Sequence, residues 1–233
     1  VDIEPGDVFA RRPVISLVTS SERLRAHGAG DYSILDAQVR AAIAAGVDLV
    51  QFREPGLPDA VLLNLVRRAV ELAQGSTTRI LVNGRIDVAL ASSAHGVHLP
   101  ADGVSADRAR PYLPRGFLVG RSVHGLVEAQ GVVGEGGVDY LTMGTLFPSA
   151  SKPGGLACGP QALAALVQSV SVPVLGIGGV TIERMKAVLD AGAAGMAAIG
   201  IFAEPGPGRA FGSLAHVVRE LRRVGAENHV QRA

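Results

Sequence analysis

Two stretches combine titratable or anion-binding side chains with the small residues of tight loops. They are Val119-Gly-Arg-Ser-Val-His-Gly125 and Met143-Gly-Thr-Leu-Phe-Pro-Ser-Ala-Ser-Lys-Pro-Gly-Gly155. Each begins as an apolar run and breaks into Gly, Pro and hydroxyl residues, the pattern of a strand entering a loop. The first presents His124, whose imidazole suits general acid–base work, beside Ser122. The second presents Ser149, Ser151 and Lys152, two hydroxyl donors and a cation suited to a phosphate or pyrophosphate. A solvated surface loop explains the second equally well, but its length inside a compact chain favours a lid or binding loop.

Three further segments offer ligand chemistry. Gln51-Phe-Arg-Glu54 alternates, so Gln51 and Arg53 share one side and Phe52 takes the other. An Arg53–Glu54 ion pair is the plain reading; an Arg fork meeting phosphate or carboxylate is the better one. Ile177-Gly178-Gly179-Val180-Thr181 opens a helix, where exposed backbone N–H groups attract anions, and Gly200 suits the same site. An ordinary tight turn is the alternative there. Asn83 ends a β-branched run, and His95 and His98 flank Gly96-Val97, without a carboxylate nearby that would complete a metal site with His124.

These residues need a scaffold, and the apolar pattern supplies one. Short β-branched runs are expected as strands at 14–18, 47–53, 79–83, 96–99, 117–120, 138–144, 172–176 and 195–199. Helical stretches are expected at 34–45, 59–73, 86–92, 126–133, 162–170, 182–191 and 210–224, with a weaker one at 105–112. Such alternation implies right-handed βαβ units and a parallel sheet. Eight units imply closure into a (β/α)8 TIM barrel, a single domain over 1–233 with an N-terminal arm (1–12) and a polar tail (225–233). The repeated helix-Gly-strand junctions at Gly46, Gly136-Gly137 and Gly192 fit helix ends that need φ > 0. In such a barrel the strand C-termini gather at one mouth, which is where chemistry is expected.

Composition excludes several classes. The 233 residues are 48% apolar and 18% charged, with no Trp, enough for a large core of small aliphatic side chains. The 22 basic and 21 acidic residues nearly balance, so nothing favours nucleic acid or a membrane surface. Cys158 stands alone, which excludes an internal disulfide and points to a reducing cytoplasm. No apolar run is long enough to span a bilayer. The first residues lack signal-peptide character, and the absence of Met at position 1 fits a trimmed chain.

Taken in order, Gln51-Phe-Arg-Glu, Leu81-Val-Asn-Gly-Arg, His95-Gly-Val-His-Leu, Val119-Gly-Arg-Ser-Val-His-Gly, Gly144-Thr-Leu-Phe-Pro-Ser-Ala-Ser-Lys and Gly176-Ile-Gly-Gly-Val resemble the thiamine phosphate synthase/TenI family from the first strand to the eighth helix. The resemblance implies an enzyme of thiamine biosynthesis acting on a small phosphorylated thiazole, and it is compatible with a homo-oligomer. It also implies a choice between two reactions. The synthase joins hydroxymethylpyrimidine pyrophosphate to thiazole phosphate with Mg²⁺, and its pattern has Lys, Asp and Asp where this chain has Pro55, Gly84 and Gly103. On the synthase reading Asp102, one residue early, and Glu54 are the carboxylates that would serve the metal.

The other reaction is the TenI-like aromatising tautomerisation of a thiazole phosphate carboxylate. It moves protons and needs no metal, so no cofactor is expected on that reading and Mg²⁺ on the synthase reading. Ser-Val-His-Gly and Ser-Lys-Pro-Gly are closer to the TenI-like pattern. The resemblance then implies His124 as acid and base, Gly178, Gly179 and Gly200 on the phosphate, and Arg53 and Lys152 facing carboxylate or phosphate. Tautomerase is the expectation, with a divergent synthase as the alternative. A catalytically inactive barrel that binds a thiamine-related phosphate as a regulator is the third reading.

Overall fold

The structure, a computed structural model, describes residues 7–25, 32–149, 156–203 and 212–230. The eight strands are β1 (Val14–Val18), β2 (Leu49–Phe52), β3 (Arg79–Asn83), β4 (Gly96–Leu99), β5 (Leu118–Val123), β6 (Tyr140–Met143), β7 (Val174–Ile177) and β8 (Gly195–Ala198). Every neighbouring pair is parallel, and β8 returns to β1, so the sheet closes into the expected barrel. The helices are α1 (Asp7–Ala10), α2 (Ser21–Arg25), α3 (Ser33–Ala44), α4 (Asp59–Ala73), α5 (Ile86–Ala91), α6 (Ala106–Ala109), α7 (Leu126–Glu135), α8 (Gly159–Ser169), α9 (Ile182–Asp190), α10 (Gly200–Ala203) and α11 (Gly212–Val230). A 3-10 turn at Arg110–Tyr112 follows α6.

The helices form because their apolar residues fall on one stripe. In α4 the buried positions are Leu62, Leu65, Val66, Ala69 and Ala73, the 3.6-residue spacing of a face laid on the sheet. The glycines at 46, 136 and 192 have φ of 76°, 84° and 86°, as the helix-Gly-strand pattern predicts. Most of the buried apolar side chains fill the space between helices and sheet.

Inside the barrel, the inward positions divide into two levels. Val14, Leu49, Leu81, Leu118, Tyr140 and Leu175 form an apolar plug, sealed by Val8 and Phe9 of α1. One pleat further along β1, β2, β3 and β6 the inward side chains become polar (Ser16, Gln51, Asn83 and Thr142), and on β5 Ser122 follows two pleats beyond Leu118. The plug excludes water from the bottom, so the polar level can open only toward the C-terminal mouth.

The short helices α2 and α10 lie where none was expected, and three further features depart from expectation. Strand β5 runs through Arg121 and Ser122 to Val123, past the expected end at 120, because pairing with β4 and β6 continues after the apolar run stops. The N-terminal arm is partly a helix that closes the barrel. The polar tail expected from 225 is instead the end of α11, which continues to Val230. Gly225 is tolerated within it because Pro13 lies against it, so an added Cβ would sit 2.2 Å from the Pro13 ring.

Candidate active site

The barrel mouth holds a cavity of about 980 Å³. Gln51, Arg53, Asn83, Ser122, His124, Ser149, Gly178, Gly179 and Gly200 all line it, together with Asp102. Nine candidates scattered over 150 residues thus meet in one place, because each follows or ends a parallel strand. Ser151 and Lys152 lie outside the described residues.

His124 stands immediately after β5, held from two directions. Its backbone N–H donates to Glu128 Oε2 at 2.7 Å, as the first turn of α7 reaches back. Its Nδ1 lies 2.8 Å from the carbonyl oxygen of Gly144. A carbonyl can only accept, so Nδ1 carries a proton, and in the neutral imidazole Nε2 keeps its lone pair. Nε2 has no partner among the described residues, and the ring lines the cavity.

Gln51 and Asn83, neighbours on β2 and β3, hold each other through Nε2–H···Oδ1 at 2.9 Å. Arg53 is exposed at the cavity, anchored by its backbone N–H to Thr19 Oγ1 at 3.1 Å. No ion pair joins it to Glu54 among the described residues. Glu54 is buried and accepts the Ser21 N–H at 2.9 and 3.1 Å, so it shapes the start of α2. Arg85 belongs to the outer surface: it bridges Asp59 and Asp87 and ties α4 to α5.

Gly178 and Gly179 adopt φ of 94° and 62°. The loop after β6 presses on them: an added Cβ would sit 2.7 Å from Thr145 Cγ2 and 2.6 Å from the Pro148 carbonyl. Backbone bonds from Leu146 N to Ile177 O (2.9 Å) and Phe147 N to Gly178 O (3.0 Å) join the two loops. Crowding therefore demands glycine here independently of any anion. Thr181 caps α9 by accepting the Arg184 N–H, and Arg184, stacked on Phe147 at 4.9 Å, adds a cation to this rim.

Sequence reading missed Arg184, Thr181, Thr145 and Arg23. Arg23 approaches Gly200 so closely that a Cβ there would lie 2.9 Å from its Nη1. Its signal was weak, since α2 is short and lies outside the motifs.

The two remaining histidines separate. His98 is inward and fully enclosed between Tyr140 and Ser122, and burial pushes its pKa down to about 3. His95 sits at the opposite end of β4, where Nδ1 accepts the Ile80 N–H at 2.9 Å and burial lowers its pKa to about 4. Neither is available as a metal ligand beside His124. Among the described residues no group of three His, Cys, Asp or Glu side chains could hold a metal. Mg²⁺ prefers carboxylate oxygens; of the carboxylates near the mouth, Glu54 is engaged and Asp102 is exposed. Asp102 is the one carboxylate among the described residues that lines the cavity, so a Mg²⁺ held there would depend largely on substrate phosphates.

A family model described as thiamine monophosphate synthase matches residues 20–202. The chain belongs to the thiamine monophosphate synthase family. A putative thiamine-phosphate synthase of Geobacter sulfurreducens is 41% identical over 183 residues, covering 78% of this chain and 85% of that protein. The thiamine-phosphate synthase of Roseiflexus castenholzii is 34% identical over 194 residues, covering 82% and 84%. Among solved structures, the thiamine phosphate pyrophosphorylase from Pyrococcus furiosus superposes with a TM-score of 0.76 at 26% identity, over 93% of this chain and 96% of that one. Membership of this enzyme family of thiamine biosynthesis agrees with the resemblance. The relatives' names favour the synthase alternative over the tautomerase. Among the described residues no helix is long and apolar enough to cross a membrane.

Proposed function

We propose that this family member is an isomerase that aromatises a carboxylated thiazole phosphate by moving a proton, with His124 as base and acid. The observation that carries this reading is the His124 Nδ1–H bond to the Gly144 carbonyl, which leaves Nε2 as an unpartnered base at the cavity. Nε2 takes the proton from a carbon of the non-aromatic ring. The released electron pair joins the ring π system, and the imidazolium returns a proton at a second position. Atoms balance, since the product is an isomer of the substrate. The rim around Gly178, Gly179, Gly200 and Arg184 suits the phosphate, and Arg53 suits the carboxylate. Lys152 is proposed to join this binding from the loop after β6.

The second reading is the Mg²⁺-dependent synthase, favoured by the names of the relatives. Against it stand Pro55, Gly84 and Gly103 where the family pattern carries Lys and carboxylates. A Cβ at Gly103 would approach the Pro100 ring to 3.0 Å, so this loop is built tightly around glycine.

The test uses both reactions on the purified protein. Wild type should speed aromatisation of the carboxythiazole phosphate without added metal, and His124→Ala should lose roughly 100- to 10,000-fold, the usual range for a general acid–base. Magnesium-dependent formation of thiamine phosphate from the two halves would instead establish the synthase. Binding without turnover in either assay would leave the regulator.

A further inference from the structure

A line of hydrogen bonds runs through the barrel interior below His124. Tyr140 Oη is 3.0 Å from His98 Nδ1, and His98 Nε2 is 2.9 Å from Ser122 Oγ. Its direction follows from burial. Tyr140 is 1% exposed, and its hydroxyl has no partner other than His98 among the described residues. A buried O–H must donate to an acceptor, so it donates to Nδ1. A neutral imidazole has one proton, which must then sit on Nε2 and be donated to Ser122 Oγ. With its oxygen accepting from His98, Ser122 can donate its own proton into the cavity.

We infer that Tyr140 is a positioning residue: acting through His98, it fixes Ser122 as a hydrogen-bond donor to an anionic oxygen of the substrate beside the base His124. The fold gives this line independent support. Gly120 on β5 faces Tyr140 on β6, and a Cβ at 120 would lie 2.2 Å from the phenol ring. The ring therefore fits only because position 120 is glycine. Phe9 packs on the other side at 5.3 Å between ring centres. Burial and the Arg121 guanidinium also disfavour a charged His98, which keeps the one-proton argument valid through the neutral range.

Ser122 and His124, two residues apart along β5, both line the cavity. When Nε2 removes a proton, negative charge grows on the substrate, and a donor already aimed at it lowers the barrier without reorganising. This inference rests on the tautomerase reading for its kinetic part and on the geometry alone for the proton arrangement.

The test begins with ¹⁵N-histidine NMR on the free, full-length protein. Wild-type His98 is expected to carry its proton on Nε2 from pH 5 to 8, and Tyr140→Phe, which keeps the ring, should redistribute it between the nitrogens. In the aromatisation assay Ser122→Ala should lower kcat about 100- to 1,000-fold, the range for losing one donor to developing charge. Tyr140→Phe should lower kcat about tenfold with little change in KM, and should add no further loss in the Ser122→Ala background. Ser122→Thr, which keeps the hydroxyl, should restore most of the rate. A wild-type proton on Nδ1, or an equal loss from Tyr140→Phe with and without Ser122, would overturn the inference. If the carboxythiazole is not turned over at all, the proposed function fails while the NMR result still decides the proton arrangement.

Discussion

At the residue scale, the decisive feature is which atoms of each side chain are already engaged. His98 and His124 are both imidazoles near one mouth, yet His98 has both nitrogens occupied and His124 has one. That difference, not residue type, separates a structural histidine from a candidate base. The rim proposed to hold phosphate offers a similar contrast. Gly179→Ala would force φ near 62° on a residue with a Cβ and push it into the Pro148 carbonyl. Loss of one charge-assisted hydrogen bond, about 1.5 kcal/mol, corresponds to at least a tenfold rise in KM for the phosphorylated substrate. Steady-state kinetics with and without the substrate's phosphate would check it: the penalty should vanish for the unphosphorylated analogue.

At the element scale, strand register does the positioning. The β5–β6 pairing sets Gly120 against Tyr140 and Ser122 against Thr142. Gly120→Ala should therefore destabilise the fold by about 1–3 kcal/mol through overpacking, measured by urea unfolding. The start of α7 fixes the proposed base: Glu128 accepts the His124 N–H. Glu128→Ala is expected to lower kcat several-fold while the protein remains folded. A Glu128→Gln substitution, which keeps an acceptor oxygen, should retain more of the rate.

At the scale of the whole molecule, closure of the barrel depends on its last helix. Arg222 of α11 reaches under the barrel to the Pro13 carbonyl, the Gly46 carbonyl and the buried Asp48 carboxylate, which also accepts the Ile15 N–H. Burial raises the Asp48 pKa even though Arg222 opposes it. Arg222→Ala would leave that carboxylate without its cation, costing on the order of 3 kcal/mol. Thermal or urea unfolding would read the loss. The buried histidines make stability depend on pH in a definite direction. His98 and His95 have folded pKa values of about 3 and about 4, below the ordinary 6.5. Between 6.5 and those values the unfolded chain binds more protons. Their contribution is full above pH 6.5 and is lost as pH falls toward 3. Unfolding free energy measured from pH 7 to pH 4 should decline, and His98→Asn should flatten part of the slope.

Periodicity was enough to read the barrel from the sequence, because short β-branched runs alternating with striped helices have few other ways to bury both sheet faces. The same rule that strand C-termini share a mouth brought Gln51, Arg53, Asn83, Ser122, His124 and the glycines into one candidate site. Periodicity failed at the ends of the chain. Polar residues from 225 onward looked like a tail, yet α11 continues because one face still packs on the barrel, with Leu221, Gly225 and Asn228 enclosed. Nor could sequence reveal Tyr140, which reads as an ordinary apolar residue at a strand start. Its role exists only because closing the sheet places it across from Gly120 and under His98. The proton state of His124 is likewise a tertiary property. Residue types along the chain determined which groups reach the mouth; the register of β4, β5 and β6, with the Gly144 carbonyl it brings to His124, decided which atoms remain free to react.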